Sequence, residues 1–234
     1  MHFSCANIWD KGDYYTINQD SFAIQAVFTG NGPYGMAMIC DGVGSLSDGE
    51  YASGTTVETM TTWFYQGALP LLCQNSSEKT LLCSCKRALG DVHRQLSEKG
   101  EKKGLLMGTT FSMIILTLHG FYLFHIGDCS CYQIGSVVKE LTRPQINTRG
   151  ELLGVIGVGE MPGLLFKRGK YRRKERFFLC SDGMKRCLSV QGLYALGKND
   201  LTERDLHKLL NEMLHRGRRK GERDNCTGIV IGRK

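Results

Sequence analysis

The chain has no apolar run near the ~20 residues that a membrane span needs, and no basic-then-apolar pattern opens it. A cytoplasmic protein without a membrane association is the expectation. Zinc-type Cys-x₂₋₄-Cys spacing is absent too: the two tight cysteine pairs, Cys83/Cys85 and Cys129/Cys131, each enclose a single serine. The ten cysteines, in 234 residues with no secretory leader, read as reduced thiols, several of them small core residues. No Ser-His-Asp arrangement is evident, which removes that route of covalent catalysis through a side-chain nucleophile. Internal repeats, linkers and low-complexity tracts are also missing, which leaves one domain over 1–234. At 41% apolar residues the chain is able to bury a single large core.

The net charge of +7 is unevenly spread. Residues 167–176 hold seven positive charges and one negative; residues 216–223 hold five and one; the rest of the chain is net −3. Such runs attract nucleic acid or acidic, phosphorylated partners. Only Tyr171 is interleaved with them, against a single-strand nucleic-acid surface. The reading adopted is a solvated loop and a solvated helix end. Two glycine-rich stretches are decoys. Gly192 to Asn199 fits a phosphate-loop frame until Asn199 stands where a hydroxyl residue should hold magnesium. Gly154 to Gly159 lacks dinucleotide-loop spacing.

Taken in order, residues 2–8 form a first strand, with a turn at Asp10 to Asp13. Two strands, 22–28 and 34–40, flank a Gly/Asn/Pro turn. Helical spacing runs over 50–65 and again over 78–99. Residues 109–118, 121–126, 131–134 and 137–141 read as a four-strand meander with antiparallel neighbours. Residues 142–175 read as an irregular, mobile, basic insertion. A buried strand at 177–180, a short helix at 184–188, a longer helix from Thr202 to Arg216 and a closing strand at 226–231 complete the chain. Strands in runs and helices in separate blocks point to layers rather than βαβ units.

The chemistry is carried by acids at strand ends. The apolar strand Met36 to Cys40 stops on Asp41 and Gly42. Asp20, Asp182 and Asp224 sit in comparable surroundings, and no His or Cys is matched to them. Each Asp-Gly alone is a common turn signal. Four carboxylates together suggest an oxygen-only site for hard cations such as Mg²⁺ or Mn²⁺.

Their order and context resemble the type 2C, metal-dependent protein Ser/Thr phosphatase family in its bacterial single-domain form. The blocks are Asn18-Gln19-Asp20-Ser21, Asp41-Gly42-Val43-Gly44-Ser45 with Gly49 to Ser53, Gly108-Thr109-Thr110, Ile126-Gly127-Asp128, Leu179 to Met184, and Asp224-Asn225-Cys226-Thr227. The resemblance implies an α+β fold: a four-layer α-β-β-α sandwich of two antiparallel sheets flanked by helices. It implies hydrolysis of phosphoserine and phosphothreonine in proteins by direct attack of a metal-bridged water. Asp41 would bridge two Mn²⁺ or Mg²⁺ ions, Asp182 and Asp224 would hold one, the Gly42 carbonyl the other, and Asp20 would act through bound water. Asp41, Asp182 and Asp224 are thus the catalytic set, acting through the metals. Asp128, with Asp182, matches a position that implies a third ion. The resemblance further implies phosphoprotein substrates, a cognate Ser/Thr kinase, and a flap role for 142–175; nothing in the sequence demands more than a monomer.

The departures from the family pattern carry their own expectations. Tyr15 stands where the family places a phosphate-gripping Arg, so a basic residue from 167–176 or 216–223 is expected to substitute. Val43 replaces a His found in eukaryotic relatives, which leaves the general acid unassigned, with solvent water a candidate. The rival reading is a catalytically weak or inactive regulatory domain of the same fold that binds phosphorylated partners.

Overall fold

The computed structural model describes residues 2–233. Among the described residues, ten strands and six helices follow one another in the order β1 (Phe3–Asp10), β2 (Asp20–Thr29), β3 (Gly32–Asp41), α1 (Gly49–Trp63), α2 (Leu69–Cys73), α3 (Glu78–Lys103), β4 (Phe111–Leu116), β5 (Phe121–Ile126), β6 (Ser130–Ile134), β7 (Val138–Glu140), β8 (Leu165–Gly169), β9 (Arg176–Cys180), α4 (Asp182–Arg186), α5 (Val190–Leu196), α6 (Glu203–Arg219) and β10 (Cys226–Arg233). A π-helical turn at Phe64–Ala68 joins α1 to α2. One sheet has the order β1-β10-β9-β6-β7, the other β2-β3-β4-β5-β8. Every pairing is antiparallel. Among the described residues, no helix is long and apolar enough to cross a membrane.

The continuous apolar runs exist because the central strands are covered on both faces. Successive side chains of a strand point to opposite sides. In β3, Ala37 and Ile39 therefore enter the core between the sheets with Ile114, Leu123, Phe177, Leu179, Ile229 and Ile231. Met36, Met38 and Cys40 face the other way, against Met60, Phe64, Leu89 and Val92 of the helices on that side. In the second sheet Phe178, Cys180 and Val230 face Leu206, Leu210 and Met213 of α6. The result is the α-β-β-α sandwich that the resemblance implied. α6 starts on a capping box in which the Thr202 hydroxyl accepts from the Asp205 amide while the Asp205 carboxylate accepts from Thr202, a device worth about 1 kcal/mol.

Two expectations need correction. The stretch 109–141 is not one meander: β4 and β5 pair in one sheet, whereas β6 and β7 belong to the other and β6 pairs with β9. Gly127-Asp128 is therefore a crossing between sheets. Gly127 takes φ +107°, and a Cβ there would lie 2.7 Å from Thr110 Cβ, so only glycine fits this passage. Residues 142–175 are irregular only in part. Leu165–Gly169 is an edge strand on β5, and Ile156 is fully buried, its backbone exchanging hydrogen bonds of 2.9 and 3.1 Å with Thr109. Val190–Leu196, unassigned in the sequence, is a helix capped by Ser189, in keeping with the dismissal of the phosphate-loop look-alike.

Candidate active site

Both sheets end at one rim, and the acids are there. Asp20 opens β2 and pairs directly with Asp41, which closes β3. Asp128 lies in the crossing from β5 to β6, Asp182 opens α4 directly after β9, and Asp224 stands just before β10. Cys180 of β9 is in register with Gly228 of β10 and Ser130 of β6, so the second sheet's contributions share one edge.

The electrostatics register this crowding. Asp20 is 2% exposed. Burial pushes its carboxyl up to about 7, against hydrogen bonds from Thr227 and Ser181, with the charges of Asp182 and Asp224 adding to the rise. Asp41 is raised well above the usual carboxylate range by burial and by Asp20, Asp182, Asp128 and Asp224. Asp128 is pushed up to about 6 by burial and Asp182. Asp224 is raised by burial and, again, Asp182. Like charges at close range disfavour the ionised form. The cluster carries more negative charge than the surrounding chain neutralises.

Backbone contacts fix the rim. The Asp41 amide donates to Thr110 Oγ1 at 3.0 Å, and its carbonyl accepts from the Thr110 amide and from Thr109 Oγ1, both at 2.8 Å. The Gly42 amide donates to the Gln19 carbonyl. A Cβ on Gly42 would lie 2.5 Å from the Gly49 carbonyl oxygen and 2.7 Å from that of Gln19, so this position is closed to larger residues. Thr227 Oγ1 donates to Asp20 Oδ2 at 2.6 Å. Asn225 accepts from the Gln19 amide at 2.8 Å and donates to the Lys11 carbonyl at 2.6 Å, tying the loop that carries Tyr15 to the start of β10. The Tyr15 hydroxyl lies over Gly44, where an added Cβ would come within 2.0 Å of it. Burial, then the charges of Asp224, Tyr14, Asp41 and Asp182, raise its pKa, so the phenol keeps its proton and remains a donor.

One cation meets the acids, and sequence reasoning missed it. Arg186, at the end of α4, donates through Nη1 to Asp182, through Nη2 to Asp224 Oδ2 at 2.7 Å, and through Nε to Glu222 Oε2 at 2.6 Å. Its spacing of four residues from Asp182 on a short helix was an available signal. Three arginines of the basic runs are engaged elsewhere. Arg218 donates to Asp10 and to the carbonyls of Glu222 and Asp224; Arg168 pairs with Glu78; Arg176 donates to the carbonyls of Leu196 and Lys198.

Among the described residues, no three His, Cys, Asp or Glu side chains already converge as a metal-binding group. Asp182 and Asp224 are linked instead through Arg186. The donor chemistry nonetheless fits hard divalent cations: the candidates are all oxygen ligands, and burial followed by neighbouring carboxylate charge raises the pKa of Asp20, Asp41, Asp128 and Asp224. In addition, Asp20 Oδ1 is buried without any hydrogen-bond partner.

Comparison with known proteins agrees with this geometry. The protein phosphatase 2C family pattern matches residues 15–227. The serine/threonine phosphatase of S. agalactiae superposes with a TM-score of 0.81 at 18% identity, covering 100% of both chains. The Mycobacterium tuberculosis serine/threonine phosphatase PstP/Ppp superposes with a TM-score of 0.76 at 20% identity, again over 100% of both chains. The catalytic domain of PstP in complex with two manganese ions gives a TM-score of 0.74 at 21% identity, covering 99% of this chain and 98% of that one. At these identities the likeness speaks to the fold. No curated protein sequence matches the chain significantly.

Proposed function

The chain belongs to the protein phosphatase 2C family, which classes it with the phosphoprotein phosphatases, and from that premise we propose that it is an active enzyme hydrolysing phosphoserine and phosphothreonine in proteins. The observation that carries this reading is the gathering of Asp20, Asp41, Asp128, Asp182 and Asp224 at one rim, each of the first three and Asp224 raised by burial and then by its neighbours' charges.

Asp41, Asp182 and Asp224, with the Gly42 carbonyl and Asp20, would hold two divalent cations, Mn²⁺ or Mg²⁺; Asp128 with Asp182 would offer a third, weaker position. Bound there, such a pair supplies charge balance for the phosphate dianion and a water acidified towards neutral pH. The chain's own groups do the rest. Thr109 and Thr110 hold the Asp41 backbone, and so fix the direction from which its carboxylate reaches the site. Thr227 orients Asp20 by donating to Oδ2, which leaves the buried Oδ1 without a protein partner. Tyr15 presents a neutral hydroxyl donor to a phosphate oxygen, weaker than a guanidinium but correctly signed. The proton for the leaving oxygen comes from solvent. Gln145 exchanges hydrogen bonds with Gly127, beside Asp128, which supports residues 142–175 as a cover over this end of the site. The substrates would be products of a Ser/Thr kinase in the same cytoplasm, and the working form a monomer.

Turnover of p-nitrophenyl phosphate and of a phosphothreonine peptide, with and without Mn²⁺, tests the reading against Asp41→Asn. The active-enzyme reading expects metal-dependent turnover that the substitution removes. Binding of the phosphopeptide without turnover at any metal concentration would instead favour the regulatory domain, a reading that Tyr15 at the phosphate-gripping position keeps alive.

A further inference from the structure

We propose that Arg186 is a tethered cation that holds Asp182 and Asp224 together in the metal-free protein and competes with divalent ions for both carboxylates, so that it sets the metal concentration at which the site loads. This rests on the metal-dependent reading above.

Three observations lead here. First, the guanidinium uses three different nitrogens on three different acids: Nη1 on Asp182, Nη2 on Asp224 and Nε on Glu222. A planar fork of donors is suited to such a clamp, and an ammonium is not. The acids come from separate segments. Asp182 shares α4 with Arg186, while Glu222 and Asp224 belong to the turn before β10. The arginine therefore staples two chain segments at the point where their carboxylates would otherwise repel.

Second, the carboxylates bound by Nη1 and Nη2 are the same two that the site needs for a cation. A divalent ion and the guanidinium cannot both hold Asp182 and Asp224 through the same oxygens, so loading the metal requires these hydrogen bonds to part. Competition of this kind is a coupling free energy, with reciprocal effects on both ligands.

Third, the arginine has somewhere to go. Its side chain is 47% exposed, whereas that of Glu222 is 11% exposed. Glu222 is itself anchored by the amides of Arg223 and Asp224 at 3.0 and 2.9 Å. When the two aspartates turn to a metal, Arg186 keeps its Glu222 partner at the rim and swings outward from there. The staple opens without leaving a stranded buried charge.

Mn²⁺ binding measured by isothermal titration calorimetry, at fixed ionic strength and without substrate, tests the proposal in wild type, Arg186→Met, Arg186→Lys and Asp41→Asn. Removing the competitor should tighten Mn²⁺ binding on the order of tenfold, within the usual range of such couplings. Arg186→Lys, which keeps the charge but loses the fork, should fall between. Thermal unfolding of the metal-free Met variant should begin at lower temperature than wild type, and Mn²⁺ should raise it by a larger increment. Unchanged or weaker Mn²⁺ binding in Arg186→Met overturns the proposal and leaves Arg186 as a structural staple only. Should that variant fail to fold, Arg186→Lys decides, and anything but tighter binding counts against the idea. Asp41→Asn separates the two levels: if it binds Mn²⁺ as wild type does, the metal-site reading itself is wrong.

Discussion

Asp20 and Asp41 face each other across one rung of an antiparallel pair, the first residue of β2 against the last residue of β3. The register therefore forces two carboxylates together at the edge of the sandwich. Directly opposed like charges weaken a sheet, and here the local relief comes from neutral donors such as Thr227 rather than from a cation on either acid.

The first prediction follows for the metal-free protein. The folded pKa of Asp20, about 7, lies above the 3.8 of a free aspartate, and that of Asp128 is about 6. A raised carboxyl contributes stability that is present at low pH and lost as pH climbs through the folded value. The melting temperature without metal should thus fall between about pH 4 and pH 7. Saturating Mn²⁺ should flatten or reverse that trend. A metal-free melting temperature that rises over this range would contradict the charge crowding at the rim.

His125 gives a slope of the opposite sign. It is fully buried, with Nε2 3.0 Å from the Gly127 carbonyl. Burial lowers its pKa from 6.5 to about 4. The stability owed to a neutral imidazole is complete above 6.5 and lost as pH falls towards 4, by up to about 3 kcal/mol. The difference in stability between wild type and His125→Gln, followed by urea unfolding, should shrink over that window. A difference independent of pH would mean that His125 titrates normally.

Tyr15 is expected to bind substrate rather than to take part in bond breaking. Tyr15→Phe removes one neutral hydrogen bond, about 1 kcal/mol. KM for a phosphothreonine peptide should rise about fivefold, with kcat little altered. Tyr15→Arg should lower KM. Steady-state kinetics of the pair would show a kcat effect instead if the phenol supplied the leaving-group proton.

Gly42→Ala should be far more damaging than its size suggests. The added methyl meets two carbonyl oxygens at 2.5 and 2.7 Å, and neither belongs to a flexible side chain. A loss of roughly 2–3 kcal/mol is expected in denaturant unfolding, with Mn²⁺ binding weakened alongside. Wild-type stability would mean that the turn after Asp41 yields.

What the sequence made legible follows from physics that acts locally. β3 was readable because burial on both faces makes an unbroken apolar run, and Asp41 stood out because that run stops on it. The acids were readable because each sits in a short block whose neighbours are equally local. Sheet membership was not: β5 and β6 have the alternation of a hairpin whether they pair or part, and only the cramped fit of Gly127 against Thr110 decides. β8 hid among lysine and arginine because an edge strand needs few apolar residues. α5 hid behind Gly192 and Gly197. Arg186 was passed over for a different reason. Its role is created by three acids from two segments that meet only after β9 and β10 pair.

The division of the acids between the sheets has one further consequence. Asp20 and Asp41 ride on one sheet, Asp182 and Asp224 on the other, and the distance between the two pairs is set by the side chains interleaved beneath them, Ile39, Ile114, Leu179 and Ile229 among them. The sandwich interior works as a caliper. Trimming one of those side chains, far from any charge, changes the gauge of the jaws before it changes the fold, and its earliest symptom should be a loss of grip on the ions.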